Sequence, residues 1–151
     1  MRRIAIRAVT VLFLAAPLSA LAQKGVDYRA VADSPAILYD APSVRGKKLF
    51  VAPRGMPVEV VVAIDGWLKV RDRNGDLVWI ERRAVSDRRT VVSVAQAQVR
   101  ERADEAAPVL LEVAADVVLE LQDPVIANGW ARVRHRDGAS GYVRAVQVWG
   151  I

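Results

Sequence analysis

The chain has 151 residues, 53% of them apolar and 26% charged, with a net charge of +5. That balance is globular and excludes a disordered tail, a collagen or a polar repeat. There is no cysteine and only one histidine, His135, which excludes a disulfide framework, a thiolate metal site and a histidine metal cluster, and confines any Ser-His-Asp arrangement to His135.

The N-terminus has the pattern of a secretory signal. Arg2, Arg3 and Arg7 form a positive region, residues 8–16 (AVTVLFLAA) are apolar, Pro17 breaks the run, and Ala20-Leu21-Ala22 supplies the small residues a signal peptidase reads. Residues 1–22 are expected to be a signal peptide, cut between Ala22 and Gln23. From Ala8 to Ala22 is 15 residues, short of the ~20 a spanning helix needs; an uncleaved anchor is the alternative. Without the segment, 19 Lys and Arg face 17 Asp and Glu, a net charge of +2. The basic excess is thus mostly in the leader, which argues against a nucleic-acid partner. The expected location is periplasmic or secreted, with no cysteine for a lipid anchor.

The rest of the chain predicts strands. Arg54-Gly55-Met56-Pro57 marks a turn, and residues 57–62 (PVEVVV) are β-branched and partly alternating. Residues 67–71 (WLKVR) alternate apolar and basic, the period of a half-buried strand. Asn74-Gly75 is a hairpin signal, and residues 77–80 (LVWI) return from it. Residues 110–121 could pass as a helix by composition. Their counterpart, 49–60, contains Pro53, Gly55 and Pro57, so both predict strand-turn-strand. Asp137-Gly138 marks a second hairpin.

An internal repeat organises these elements. Asp65-Gly66-Trp67-Leu68-Lys69-Val70-Arg71 matches Asn128-Gly129-Trp130-Ala131-Arg132-Val133-Arg134 at an offset of 63, which continues through Trp79 with Tyr142 and Ile80 with Val143. Upstream the offset is 61, pairing Val31 with Val92, Leu38 with Val99 and Glu59 with Glu120. Two extra residues are placed near Pro124, and two are taken as lost after Val143, where Ala84-Val85 would meet Ala145-Val146. Residues 27–87 and 88–151 are the expected domains, joined by the polar stretch 86–90. A unit of about 60 residues buries only ~60% of its unfolded surface, so the two are expected to pack on each other.

The repeated motifs resemble those of bacterial SH3 domains. Leu38-Tyr39-Asp40-Ala41-Pro42-Ser43 sits where that family carries Asn-Val-Arg-Ser-Gly-Pro-Ser. Gly66-Trp67-Leu68-Lys69-Val70-Arg71, Asn74-Gly75 and Val78-Trp79-Ile80 follow its Gly-Trp-x-x-Val-Arg, Xaa-Gly and Gly-Trp-Ile pattern. Copy two has Val99-Arg100, Gly129-Trp130-Ala131-Arg132-Val133-Arg134, Asp137-Gly138 and Gly141-Tyr142-Val143. Arg88-Arg89-Thr90 and Trp149-Gly150-Ile151 are similar to motifs of the exported members of this family, formerly a domain of unknown function. The resemblance implies an all-β fold of two tandem SH3-like small β-barrels. It also implies a binding role, with a cell-wall peptide, peptidoglycan or an envelope protein as partner and with no enzymatic activity or cofactor. A purely structural periplasmic adaptor and a small-barrel nucleic-acid binder are the alternatives.

Flat aromatic side chains are the natural walls of such a groove. Tyr39, Trp67, Trp130 and Tyr142 are the candidates, together with Arg100, which keeps the family's arginine where copy one has Tyr39. Trp79 and Tyr142 follow hairpins and lean towards core packing. Copy two also keeps Gly141 where copy one has Val78, so ligand binding is expected to depend more on copy two, with Arg100 exposed. Asp72, Asp76 and Asp137 are explained by turn geometry, and nothing fixes two acids at one cleft for glycoside hydrolysis. Lys47-Lys48, Arg82-Arg83 and Arg88-Arg89 are read as solvated surface. No phosphate-binding loop is present.

Overall fold

The computed structural model describes residues 25–32, 34–123 and 126–151. The expected signal peptide, residues 1–22, and its expected cleavage between Ala22 and Gln23 lie outside the described residues. Copy one consists of β1 (Asp27–Val31), β2 (Ala36–Tyr39), β3 (Lys48–Ala52), β4 (Pro57–Ile64), β5 (Trp67–Arg71), β6 (Leu77–Glu81) and β7 (Val85–Ser86). Copy two consists of β8 (Thr90–Ser93), β9 (Ala97–Arg100), β10 (Val109–Val113), β11 (Val118–Leu121), β12 (Trp130–Arg134), β13 (Ser140–Arg144) and β14 (Val148–Trp149). Each copy is one antiparallel sheet with the same strand order, β3-β2-β6-β5-β4-β1-β7 and β10-β9-β13-β12-β11-β8-β14. A 3-10 turn, Arg82–Ala84 or Ala145–Gln147, precedes the last strand. The described residues contain no α-helix, and residues 49–60 and 110–121 are strand-turn-strand as the repeat predicts.

The predicted barrels are not closed. Among the described residues β3 does not pair with β7, nor β10 with β14. The last strand of each sheet has only two residues, too few to carry a ladder to the opposite edge.

The duplication holds strand by strand, and the register corrects its offsets. Glu59 faces Arg71 as Glu120 faces Arg134, so the two extra residues of copy two fall between Leu121 and Trp130. The first strands differ by 62: Ala30 faces Pro57 and Ser86, whereas Val92 faces Val118 and Trp149. Val31 therefore matches Ser93, not Val92. No residues are lost after Val143. The Arg82 N–H donates to the Gly66 carbonyl and the Ala145 N–H to that of Gly129, both at 2.9 Å, which keeps the offset at 63 to the end. The shared Ala-Val dipeptides at 84 and 145 are out of register.

Strand alternation separates core from surface. On β6, Val78 and Ile80 are buried and Trp79 between them is half-exposed. Tyr142 sits likewise between buried Gly141 and Val143. The expectation that Trp79 and Tyr142 favour the core fails because a period of two turns both outward. The cores are aliphatic. Copy one packs Leu38, Val58, Leu68, Val70 and Ile80; copy two packs Val91, Val99, Leu119, Val133 and Val143. Each such side chain contributes ~1.5–3 kcal/mol on burial.

The copies are clasped by the motifs that flank them. Thr90 Oγ1 donates to the Gly55 carbonyl at 2.7 Å. Trp149 meets Tyr28 edge to face at 5.2 Å. The Arg89 guanidinium lies 5.8 Å from the Tyr28 ring and donates to the Gly150 carbonyl at 3.3 Å. Gly150 has φ +112°, and a Cβ there would lie 2.9 Å from both the Pro57 side chain and the Thr90 carbonyl. Only glycine allows this approach. Ile151 packs against the core of copy two. Arg73 adds a further tie, its guanidinium lying 2.7 Å from Asp116 and donating to the Ser93 carbonyl.

Candidate ligand groove

In copy one the β2–β3 loop, the β4–β5 turn and the 3-10 turn converge on Trp67. The loop is tied to itself: Asp40 Oδ1 accepts the Lys47 N–H at 2.8 Å, and a Cβ on Gly46 would lie 3.0 Å from that carboxylate oxygen. Gly66, with φ +73°, makes the tight β4–β5 turn. Arg82 Nη2 donates to the Ile64 carbonyl at 3.0 Å, which joins the 3-10 turn to that turn. The result is an open groove of about 640 Å³ lined by Pro42, Ser43, Val44, Gly66, Trp67, Glu81, Arg82 and Arg83. Trp67 is half-buried there and meets the buried Tyr39 ring edge to face at 5.4 Å. Tyr39 therefore braces the tryptophan from below. Arg83, exposed, pairs with Glu81 at 2.8 Å; that hydrogen bond and charge raise the arginine's pKa above its ordinary value.

The matching place in copy two is filled. Trp130 is only 5% exposed. The Arg144 guanidinium lies 4.8 Å from its ring centroid, within cation–π range. Arg144 is held there by Glu105 of the β9–β10 loop at 2.6 Å. The repeat explains the contrast, because Glu105 and Arg144 stand where copy one has Val44 and Glu81. Copy one lacks both halves of this latch.

Arg100 is not the exposed side chain expected. It is 17% exposed, donating to the Ala107 carbonyl and to Gln98 Oε1, both at 2.7 Å. The half-buried guanidinium is engaged in holding the β9–β10 loop. Tyr142 lies opposite Arg100 in register. Gly141 is a packing glycine: a Cβ there would collide with the Arg100 carbonyl oxygen. The structure thus leaves Trp67 on the groove but buries Tyr39 behind it, outside the lining and so not the groove wall expected, places Trp130 under a latch, and sets Arg100 against a loop. The sequence reading missed Val44, Glu81, Arg82 and Arg83 as groove residues, and Glu105 and Arg144 as the latch. The repeat carried that information in the contrast of Val44 with Glu105 and of Glu81 with Arg144.

His135 lies just past β12, beside the β12–β13 hairpin turn. Its Nδ1 lies 3.0 Å from Asp137 Oδ1 without the geometry of a hydrogen bond. Asp137 is held below the usual carboxylate range, first by accepting the Ala139 N–H and then by His135. The described residues contain no cluster of three or more groups able to hold a metal, and none of their helices is long and apolar enough to cross a membrane.

Two open sheets of identical strand order, each with a tryptophan between a long loop and a 3-10 turn, define a tandem of SH3-like domains. The protein-family description "Bacterial SH3 domain" matches residues 32–87 and again 93–150, and the chain belongs to that family. No curated protein matches it. Among solved structures it is similar to NlpC2 from Trichomonas vaginalis, with 16% identity and a TM-score of 0.37 over 82% of this chain and 47% of that one. It is also similar to NlpC1 from the same organism, with 13% identity and a TM-score of 0.38 over 87% of this chain and 48% of that one. The chain thus spans about half the length of these neighbours.

Proposed function

We propose that the chain is an exported, non-enzymatic module that binds an acidic peptide of the cell envelope, such as a peptidoglycan stem peptide, in the groove of copy one. Bacterial SH3 domains commonly bind cell-wall material. The observation that carries the reading is the uncovered face of Trp67 beside Arg82 and Arg83. A flat aromatic offers rigid contact area, and the two arginines offer forked donors to a carboxylate. The N-terminal pattern supports export. Copy two, with Trp130 covered, serves as the base on which copy one is clasped.

The test is co-sedimentation of the protein with purified sacculi, followed by titration with a soluble stem peptide. Arg83→Ala, on an exposed side chain, is expected to weaken binding about fivefold, ~1 kcal/mol, while leaving the melting temperature unchanged. A purely structural adaptor would leave the protein in the supernatant. Capture that is unchanged in Arg83→Ala and in Trp67→Phe would place the site elsewhere.

A further inference from the structure

We propose that β3, the open edge of copy one, pairs antiparallel with β10, the open edge of copy two, in a second copy of this chain. Chains would then associate head to tail. Among the described residues each of these strands ends its sheet and pairs on one side alone. The free side of an edge strand presents backbone N–H and C=O groups that another extended strand can satisfy. Both edges also expose apolar side chains. On β3, Phe50 and Val51 are 52% and 68% exposed; on β10, Val109 and Leu110 are 41% and 51% exposed.

The fit between the two edges selects a second copy as the occupant. On β3, Lys48 faces Tyr39 and Val51 faces Ile37. Tyr39 and Ile37 stand two apart on β2, so Lys48 and Val51 share one side of the sheet. On β10, Val109 faces Arg100 and Glu112 faces Gln98, which puts Val109 and Glu112 on the matching side. Each stretch contains a register shift, and both rows keep the same three-residue spacing. Run antiparallel, the edges set Lys48 against Glu112 and Val51 against Val109, with Phe50 meeting Leu110. Opposite charges and apolar pairs across a ladder stabilise it. Lys48 and Glu112 have no ion-pair partner among the described residues; Glu112 accepts the side-chain amides of Gln98 at 3.0 Å and Gln96 at 3.5 Å. Two β3 strands about a two-fold axis would set Lys48 against Val51, and two β10 strands Glu112 against Val109. The contact uses different surfaces of the two chains, so each chain keeps one free edge and addition continues. One strand pair is a small interface, which makes the association weak and dependent on concentration.

The experiment is sedimentation equilibrium of the protein, expressed from its full sequence, from micromolar to millimolar concentration. The average mass is expected to rise with concentration and to pass that of a dimer. Val51→Lys and Val109→Lys, both on exposed side chains, should each stay monomeric alone. Mixed, they should form a one-to-one dimer and nothing larger, because each variant retains the edge the other has lost. Lys48→Glu should weaken association about fivefold, and adding Glu112→Lys to the same chain should restore it. Should either lysine variant disturb the far-UV spectrum, the charge exchange carries the test. A monomer at every concentration would overturn the proposal. So would a folded Val51→Lys that assembles as the parent does, a Val109→Lys that dimerises alone through β3, or a Lys48→Glu that Glu112→Lys does not rescue. None of these four residues lines the copy-one groove, so capture by sacculi is measured independently of this assembly.

Discussion

The two copies share strand order, register and the Gly-Trp turn, yet they treat the tryptophan in opposite ways. In copy one Trp67 stands at the edge of an open groove, braced from below by Tyr39. In copy two Trp130 is buried under Arg144, which Glu105 holds in place. Two positions make the difference, Val44 against Glu105 and Glu81 against Arg144. In copy one Glu81 pairs with Arg83 on its own turn instead of reaching over the ring. A duplicated fold has thus kept its scaffold in both halves and its open face in one.

The largest break in the comparison is at Gly141. A methyl group there meets the Arg100 carbonyl and the Val99 side chain, so Gly141→Ala should destabilise the protein by about 3 kcal/mol, as overpacking does at its upper range. Copy one carries Val78 at the same place, buried. A thermal melt of Gly141→Ala that matches the parent would mean that β9 and β13 do not approach so closely.

Transplanting the latch sharpens the contrast. The double variant V44E/E81R puts the latch chemistry of copy two over Trp67. Co-sedimentation with sacculi should fall about tenfold, ~1.4 kcal/mol, with the melting temperature retained. Binding equal to the parent's would show that the face of Trp67 is not the contact surface.

Releasing the latch of copy two is a smaller change. Glu105 and Arg144 are 59% and 40% exposed, and a pair at such a surface contributes only ~0.5 kcal/mol. Glu105→Ala should therefore leave stability almost unchanged while uncovering Trp130. Faster solvent exchange of the Trp130 indole N–H by NMR would register this, and an unchanged exchange rate would mean that Arg144 covers the ring without help from Glu105.

The smallest effect concerns pH and the clasp. Burial, and then the charge of Glu59, raise the pKa of Tyr28 above 10.0. A group whose folded pKa is raised contributes stability that is complete below its unfolded pKa and is lost as pH rises through the folded value. The contribution of Tyr28 should therefore be intact at neutral pH and fade only above about pH 10. Tyr28→Phe should show a shallower alkaline loss in denaturant titrations; identical pH dependence in both proteins would detach the clasp from this ionisation.

Much of the fold was legible in the residues. Period-two alternation at 67–71 and 77–80, turn glycines and the repeat at an offset of 63 identify strands and two copies, because local chemistry decides them. The outward side of Trp79 was also readable from that alternation, since Val78 and Ile80 claim the inward places. The site was less legible. Arg100 keeps the family's residue type, and only the path of the β9–β10 loop shows that its donors go to Ala107 and Gln98. The first-strand offset of 62 was hidden because valines occur at several neighbouring positions, and pairing with β11 and β14 is what selects one.

By itself the sequence determined an all-β tandem, its hairpins and its joint, since hydrophobic period, glycine placement and internal similarity act over a few residues. Tertiary structure decided which tryptophan is open, because that depends on whether side chains 25 and 14 residues away, Glu105 and Arg144, meet across it. It also decided that Thr90, Tyr28, Trp149 and Gly150 clasp the copies together. Charge and packing act through space, and a linear chain does not show which distant groups will share it.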